Sequence, residues 1–222
     1  AGPAGVNCPS FNPVTVLSEE FDIQGGWTGD ISNSSGDWQY NSGTTGSSNT
    51  GPAGAHSGSN YIYFEASASG PASLISPMID LTNATDSAEM SFWMHAYGAH
   101  IGYLRIRVST VSATGPFTDT VFFYNQGQLQ TSSADPWQQV GVRLDSYVGM
   151  PIWLEFEANR TTSFSGDICL DLLQINTCGN ICVDPSGIFS PGFTSTTADI
   201  GWVENGNATM WDLEYDTTGF AL

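Results

Sequence analysis

Residues 91–108 constrain the fold of this chain more than any other stretch, because they hold two alternating runs on either side of a short break. In each run apolar side chains occupy every second position, which is typical of a β-strand with one buried face. The break, residues 97–102, contains glycines and predicts a turn. The predicted buried sides are Met90, Phe92, Met94 and Ala96 in the first run and Leu104, Ile106 and Val108 in the second. Two consecutive strands with matched apolar sides predict half of a β-sandwich.

Similar short runs recur along the chain, separated by glycine, proline, asparagine and aspartate. They cover residues 14–21, 61–66, 72–76, 120–124, 137–144, 152–158 and 168–175. No segment longer than about ten residues carries the period of a helix. Between residues 25 and 60 the chain is mostly small and polar, but Trp27, Trp38 and Tyr40 predict an ordered loop rather than a disordered linker. The chain is therefore predicted to be all-β.

The charge balance restricts the classes of partner. The chain has 22 acidic residues, four arginines and no lysine, which gives a formal net charge of −18. Such a chain repels phosphate backbones and anionic membranes, so nucleic acid is a poor partner and divalent cations are good ones. No apolar run approaches the roughly 20 residues that a membrane-spanning helix needs, so no membrane insertion is expected.

Four cysteines favour an oxidising compartment, and hence a secreted or cell-surface location, with one or two disulfides. Cys8 precedes the first predicted strand, and Cys178 and Cys182 follow the last. A bridge from Cys8 to either of the latter two would tie the ends of the domain together. Cys169 has no assignable partner, and a buried free thiol is one alternative. A zinc site is disfavoured, since there is only one CxxxC pair and no histidine near it in sequence.

The pattern changes after Cys178. Residues 1–13 form a leader or linker rich in glycine and proline, and residues 14–178 hold the predicted sandwich. Residues 179–222 begin a second unit, with predicted strands at 192–195, 197–204 and 210–216. About forty residues are too few to close a sandwich of about 90 to 100, so this unit is expected to be incomplete.

Several short motifs in the first unit occur in the order found in one extracellular family. They are Phe21-Asp22, Gly26-Trp27, Gly51-Pro52 with His56, residues 61–66 (YIYFEA), residues 74–77 (LISP), residues 92–98 (FWMHAYG), residues 102–106 (GYLRI), Trp137, Phe156-Glu157 and residues 166–171 (GDICLD). This series resembles a MAM domain, the module of meprins, neuropilins and receptor tyrosine phosphatases. The resemblance implies a concanavalin-like jelly-roll β-sandwich with no catalytic activity and a role in adhesion or recognition, often with bound calcium.

The second unit resembles the first strands of a fibronectin type III module, which is an immunoglobulin-like sandwich. The resemblance rests on residues 185–187 (PSG), residues 197–202 (TADIGW) and residues 211–215 (WDLEY). A MAM domain followed by such a module, with almost no basic residues, is similar to the arrangement in secreted surface proteins of marine Bacteroidetes.

A calcium site is predicted where the first and last strands of the jelly roll lie side by side. Glu20 and Asp22 are spaced to point to one side of the first strand, and Asp171 lies on the last strand. Asp37 or a carbonyl of the loop would complete the six to eight oxygen ligands that calcium takes. Two positions depart from the family pattern, because Ala55 and Leu172 stand where it has acidic residues. The alternative is that these are solvated acids at strand ends.

A ligand surface is predicted on the outward side of the central strands. If the strands share one register, this face carries Trp93, His95, Tyr97, Arg105, Arg107, Arg143, Trp153, Glu155 and Glu157. Aromatic rings stack on sugars, and guanidinium groups pair with carboxylate or sulfate, so a glycan or an acidic partner is expected. The alternative is ordinary cross-strand pairing between arginine and glutamate.

These observations predict a non-catalytic recognition or adhesion module of a larger secreted or cell-surface protein, stabilised by calcium. Its partners would be a protein or glycan at the cell surface and neighbouring domains of the same chain. No GxSxG or HExxH motif is present, and a pair of acids such as Glu155 and Glu157 occurs on any sheet. The alternatives are a polysaccharide-binding module appended to a secreted hydrolase and an accessory domain of a secreted metalloprotease.

Overall fold

The structure, a computed structural model, describes residues 4–8, 12–23, 25–32, 34–67, 70–179, 186–203 and 211. The chain divides into two compact units, residues 1–178 and 179–222. The strands of the described residues are β1 (Asn12–Glu19), β2 (Thr28–Gly29), β3 (Trp38–Asn41), β4 (Tyr61–Phe64), β5 (Ala72–Ile75), β6 (Ile79–Asp80), β7 (Ala84–His95), β8 (Ile101–Ser109), β9 (Asp119–Tyr124), β10 (Gln138–Arg143), β11 (Pro151–Arg160), β12 (Ile168–Gly179), β13 (Ser186–Phe193) and β14 (Ala198–Val203). The only helix among them is a single 3-10 turn, Asp145–Tyr147.

The first unit is a sandwich of two six-stranded sheets. Sheet 1 has the order β10-β7-β12-β4-β3, with β1 also paired to β12. Sheet 2 has the order β2-β5-β11-β8-β9, with β6 also paired to β11. The strand pairs whose register is resolved are antiparallel. This architecture confirms the predicted all-β sandwich fold.

The core between the two sheets is built from the residues that the alternation assigned to the buried sides. Phe92 of β7, Ile106 of β8 and Phe156 of β11 are completely buried, and the rings of Phe92 and Phe156 lie 6.3 Å apart. Trp27 and Trp38 also belong to this core, at 3% and 0% exposure. The described residues between 25 and 60 are therefore an ordered segment, as predicted, which contains the short strands β2 and β3.

The two runs of residues 91–108 do not lie in the same half of the sandwich. β7 pairs with β10 and β12 in sheet 1, whereas β8 pairs with β9 and β11 in sheet 2. The prediction that these strands form one half of the sandwich is therefore wrong, because the turn between them crosses from one sheet to the other. Alternation indicates which side of a strand is buried, and it does not indicate which strand is its neighbour.

The described part of the second unit is an antiparallel pair, β13 and β14. The ring of Trp202 on β14 lies 5.8 Å from that of Trp211. Most of the third predicted strand, residues 210–216, lies outside the described residues. The assignment of this unit to a fibronectin type III module stays a prediction. Nowhere in the described ranges does the chain form a helix with the length and apolar character needed to cross a membrane.

Candidate functional site

A disulfide joins Cys8 to Cys178, so it links the N-terminal segment to the end of β12. This is one of the two pairings predicted for Cys8. Cys169 is a buried free thiol, and burial raises the pKa of this thiol well above its usual value. Cys182, the other predicted partner, lies outside the described residues.

Two of the predicted calcium ligands hold the same short segment, residues 56–60. Asp171 Oδ2 accepts hydrogen bonds from the backbone N–H groups of His56 and Ser57, at 2.6 and 3.0 Å. Asp22 Oδ1 accepts from those of Ser59 and Asn60, at 2.7 and 2.8 Å. The carboxylates of the first and last strand regions therefore meet at one segment, although they are far apart along the chain.

Glu20 is close enough to Asp171 for its charge to affect that carboxyl group, and it has unused hydrogen-bonding capacity. Its Oε2 atom is buried and has no hydrogen-bond partner among the described residues. The pKa of Asp171 is raised to about 6, chiefly by burial and also by the negative charge of Glu20, while three backbone N–H groups oppose the rise. Two carboxylates of like charge in a partly buried position are a local excess of negative charge.

The side-chain contact of Asp37 is local, and its predicted place in the calcium site stays a prediction. Asp37 accepts a hydrogen bond from the Ser32 hydroxyl in the turn before β3. Within the ranges that the structure describes, which include all four predicted acids, no group of three or more histidine, cysteine, aspartate or glutamate side chains could hold a metal ion. Asp22 and Asp171 instead accept hydrogen bonds from backbone N–H groups of residues 56–60.

The outer face of sheet 1 is partly covered, which changes the predicted role of its aromatic residues. His95 is completely buried, its ring lies 5.5 Å from that of Trp137, and burial lowers its pKa to about 4. Trp93 is half-buried and stacks on His56, with ring centroids 3.8 Å apart. The prediction of His95 as a ligand contact is wrong, since Trp137 lies over it. Tyr97 is half-buried, and its carbonyl accepts a hydrogen bond from the Thr50 hydroxyl.

The single ligand face predicted from the alternation is divided between the two sides of the sandwich. Trp93 and His95 lie on sheet 1, whereas Arg105 and Arg107 of β8 and Trp153 of β11 lie on sheet 2. Arg143 of β10, assigned to the same face, also belongs to sheet 1. The prediction of one shared face is therefore wrong, for the same reason as the pairing of β7 and β8.

On the outer face of sheet 2 the arginines and glutamates pair across strands. Arg105 stands opposite Glu157 and Arg107 opposite Glu155 in the β8–β11 register. Their ion pairs are 2.7 and 2.6 Å long, and Arg107 also contacts Glu157 at 3.0 Å. This is the cross-strand pairing expected as the alternative to a ligand surface. The two arginines and two glutamates together carry no net charge, and the ion pairs hold the guanidinium planes in one orientation.

Beside these pairs lies an aromatic patch that the sequence analysis did not single out. Phe123 of β9 is 53% exposed, and its ring lies 5.9 Å from that of Tyr103 on β8. The guanidinium of Arg105 lies 5.8 Å from the Tyr103 ring centre. The consecutive Phe122 and Phe123 could have revealed this patch from the sequence. Successive residues of a strand face opposite ways, so one of the two phenylalanines had to point outward. We define Tyr103, Arg105 and Phe123 as the sheet 2 patch.

A buried polar group under the loop after β3 was also missed. Asp167, just before β12, is completely buried, and its Oδ1 accepts the backbone N–H of Ala66 at 3.0 Å. Burial raises the pKa of Asp167 to about 7, and the charge of Glu65 adds to the rise. Asp167 lies in the motif of residues 166–171 that carries the family resemblance, but no pattern of apolar and polar residues indicates that this acid is buried.

The fold and these surfaces define a β-sandwich binding module. The family model described as "MAM domain, meprin/A5/mu" matches residues 19–179. The chain therefore belongs to the MAM domain family, whose members are extracellular binding modules. The family and the disulfide fit an extracellular or cell-surface location.

Similar proteins agree with this assignment. MAM domain-containing glycosylphosphatidylinositol anchor protein 1 of Gallus gallus is 33% identical over 130 residues, which are 55% of this chain and 13% of that protein. The chain thus spans a small part of the length of this curated relative. The K1 cleaved adhesin domain of Lys-gingipain from Porphyromonas gingivalis W83 is 21% identical with a TM-score of 0.52, over 75% of this chain and 99% of that one. The Stig cyclase Fisc from Fischerella sp. TAU is 10% identical with a TM-score of 0.53, over 76% and 99%. These two likenesses show a common fold alone.

Proposed function

We propose that this chain is a calcium-stabilised adhesion module of a larger extracellular protein, and that it binds a protein partner through the sheet 2 patch. The observation that carries the proposal is the exposed Phe123 ring beside Tyr103 and an Arg105 held by Glu157. Aromatic residues and arginine are enriched in protein interfaces and among their energetically dominant residues. A guanidinium that is already ordered loses little further entropy on binding.

The adhesion proposal is tested by measuring how cells adhere to beads that carry the immobilised protein. The cells are treated beforehand either with a protease, which removes their surface proteins, or with glycosidases, which remove their glycans. We expect adhesion that protease abolishes and glycosidases leave intact. Phe123→Ala should weaken it by about ten-fold or more. Phe164→Ala is the matched control, because Phe164 is 47% exposed on the loop after β11. Equal adhesion of the two variants would contradict the role of the patch.

Calcium is proposed at two of the predicted acids, Glu20 and Asp171, while Asp22 binds the backbone of residues 59 and 60. The support is the buried, unpartnered Glu20 Oε2 next to a carboxylate whose own pKa is raised. The two carboxylates fit a hard cation that prefers oxygen ligands, and backbone carbonyls and water would supply the remainder of the shell. The ion would neutralise this local excess of negative charge and join the first strand to the last.

The calcium proposal predicts that the ion raises the melting temperature and that a chelator reverses the gain. Glu20→Gln should abolish the response, because it removes the charge and retains the shape. Asp37→Asn is the control and should respond like the wild type. An unchanged melting temperature in calcium, or a full response of Glu20→Gln, would exclude this site.

A polysaccharide-binding role, in a module appended to a secreted hydrolase, is a second proposal. It is supported by a polar cavity on the outer face of sheet 1, which lies on the other side of the sandwich from the sheet 2 patch. A role as an accessory domain of a secreted metalloprotease would use the same adhesion surface, and the difference would lie in the remainder of the longer chain.

A further inference from the structure

A cavity of about 410 Å³ lies on the outer face of sheet 1. This volume is within the range of small-molecule sites, about 300 to 1,000 Å³. One wall is the N-terminal segment, residues 4–6, and the floor consists of five polar side chains from three neighbouring strands. These are Glu89 and Ser91 of β7, Gln139 of β10, and Gln174 and Asn176 of β12. We call them the polar row.

The local structure explains why these five side chains lie together. On β7 the residues at positions 90, 92 and 94 fill the core, so Glu89 and Ser91 point outward. On β12 the alternation is broken at Leu172, whose φ is +42°. Leu173 and Ile175 beyond it belong to the core. Gln174 and Asn176 therefore reach the same outer face as Asp171, which precedes the break.

The N-terminal wall is held by two independent links. The Cys8–Cys178 disulfide fixes the segment to the end of β12. The Arg143 side chain donates a hydrogen bond from Nη1 to the carbonyl oxygen of Gly5, at 3.2 Å. The cavity is consequently bounded by groups that are held in place on both sides.

Glu89 is the observation that points to a ligand. Its side chain is only 4% exposed, and Arg143 Nη1 donates to one carboxylate oxygen, Oε2, at 3.1 Å. The other oxygen, Oε1, is buried, and no group in the described parts of the chain donates a hydrogen bond to it. Buried carboxylate oxygens nearly always have donors, so a buried acceptor in a polar cavity indicates a ligand that donates.

The charges around the cavity disfavour an anionic ligand. Glu89 and Arg143 form a pair, and Arg143 also contacts Asp145 at 2.8 Å, so the guanidinium is already engaged. The carboxylates and the net charge of −18 disfavour an anion. Amides and hydroxyls, which both donate and accept, match the vicinal hydroxyl groups of a sugar. Trp93, opposite Gln139 in the β7–β10 register and half-buried, adds an aromatic ring at the end of the polar row.

We propose that the polar row binds a neutral sugar unit, whose hydroxyl donates to Glu89 Oε1 while Gln139, Gln174 and Asn176 bind the adjacent hydroxyls. This inference deepens the polysaccharide-binding proposal and is independent of adhesion through the sheet 2 patch.

The test is isothermal titration calorimetry of the full 222-residue chain. The probes are neutral oligosaccharides of glucose, galactose, mannose and xylose, with a glucuronic acid oligomer and a glucosamine oligomer as charged comparisons. We expect at least one neutral series to bind, and Glu89→Gln to weaken it by about ten-fold or more, since a hydroxyl donor loses its charged acceptor. Gln174→Ala should weaken it as well. Gln128→Ala, an exposed amide in the turn after β9, is the control.

Each outcome of the titrations either supports the sugar site or overturns it. Absence of binding to every neutral series, or preference for the charged sugars, would overturn the proposal. Neutral sugar binding that Glu89→Gln and Gln174→Ala both leave unchanged would place the sugar elsewhere and overturn this site while retaining the polysaccharide-binding role. If Glu89→Gln fails to fold, Gln174→Ala decides. Phe123→Ala should not alter sugar binding, so failure here is distinguishable from failure of the adhesion proposal.

Discussion

At the scale of single residues, burial rather than residue type decides the chemistry of the acids. Asp22 binds two exposed backbone N–H groups, whereas Asp167 is completely buried and has its pKa raised to about 7. Both are aspartates in short polar stretches of the sequence. The difference arises because the loop after β3 lies against Asp167, where the Thr50 hydroxyl accepts its backbone N–H at 3.0 Å, and this packing excludes water from the carboxyl group.

Asp167 makes the stability of the protein depend on pH. Its pKa rises from 3.8 in the unfolded chain to about 7 in the folded protein, so between these values the folded protein holds a proton that the unfolded chain releases. Its contribution to the free energy of unfolding is at most about 4 kcal/mol. This contribution is fully present below about pH 4 and is lost as the pH rises through about 7. Asp167→Asn, which retains an acceptor for the Ala66 N–H, should flatten this part of the curve of unfolding free energy against pH.

Denaturant unfolding at several pH values, in the presence of a chelator, measures this effect. Asp135→Asn is the control, because hydrogen bonds from Thr131 and Ser132 lower the pKa of Asp135 to about 2. Its contribution is present above about pH 4 and is lost as the pH falls through about 2, so its variant should change the curve only at acid pH. Identical slopes of the wild type and Asp167→Asn between pH 4 and 7 would refute the assignment.

At the scale of elements, one residue of β12 determines what the outer face of sheet 1 carries. Leu172 adopts a φ of +42°, and the core-facing series continues from Leu170 to Leu173 instead of to Leu172. Such a bulge shifts the alternation by one position. Without it, Leu173 and Ile175 would point to the outside, and Gln174 and Asn176 of the polar row would point into the core.

This geometry predicts an unusual order of stability at position 172. Leu172→Gly should change the melting temperature little, because glycine adopts a positive φ without strain. Leu172→Val should destabilise the protein by about 1 to 3 kcal/mol, although valine suits ordinary strands, because a branched side chain is strained at positive φ. Thermal unfolding of the two variants measures the order. A valine variant as stable as the glycine variant would show that the bulge is not required.

At the scale of the whole molecule, the ends of the sandwich are tied together by a covalent bond. The Cys8–Cys178 disulfide spans a sequence separation of 170 residues. It restricts the unfolded chain, and it also holds the N-terminal wall of the cavity against sheet 1. The bond thus connects the stability of the domain to the shape of its proposed sugar site.

We expect the double variant Cys8→Ser/Cys178→Ser to fold with a stability lower by about 2 to 5 kcal/mol. Replacing both residues prevents Cys178 or Cys8 from pairing with another thiol. Denaturant unfolding with and without a reductant provides the control, because the reductant should lower the stability of the wild type to that of the variant and leave the variant unchanged. Equal stability of the wild type in both conditions would contradict this contribution.

Much of the fold was determined by the sequence alone. The period of two, the glycine and proline breaks and the absence of a helical period determined an all-β chain, and they identified the core sides of β7 and β8 correctly. These are local properties, because the direction of a side chain on a strand follows from its position in the strand. The motif series likewise identified the MAM family, which the match over residues 19–179 confirms.

The identity of neighbouring strands was decided only by the tertiary structure. β7 and β8 are consecutive in sequence and lie in opposite sheets, which separated Trp93 from Arg105 and divided the predicted ligand face. The cover of Trp137 over His95 and the assembly of the polar row from three strands have the same origin. Contacts between residues distant in sequence depend on the packing of the whole sandwich, and no local pattern of apolar and polar residues encodes them.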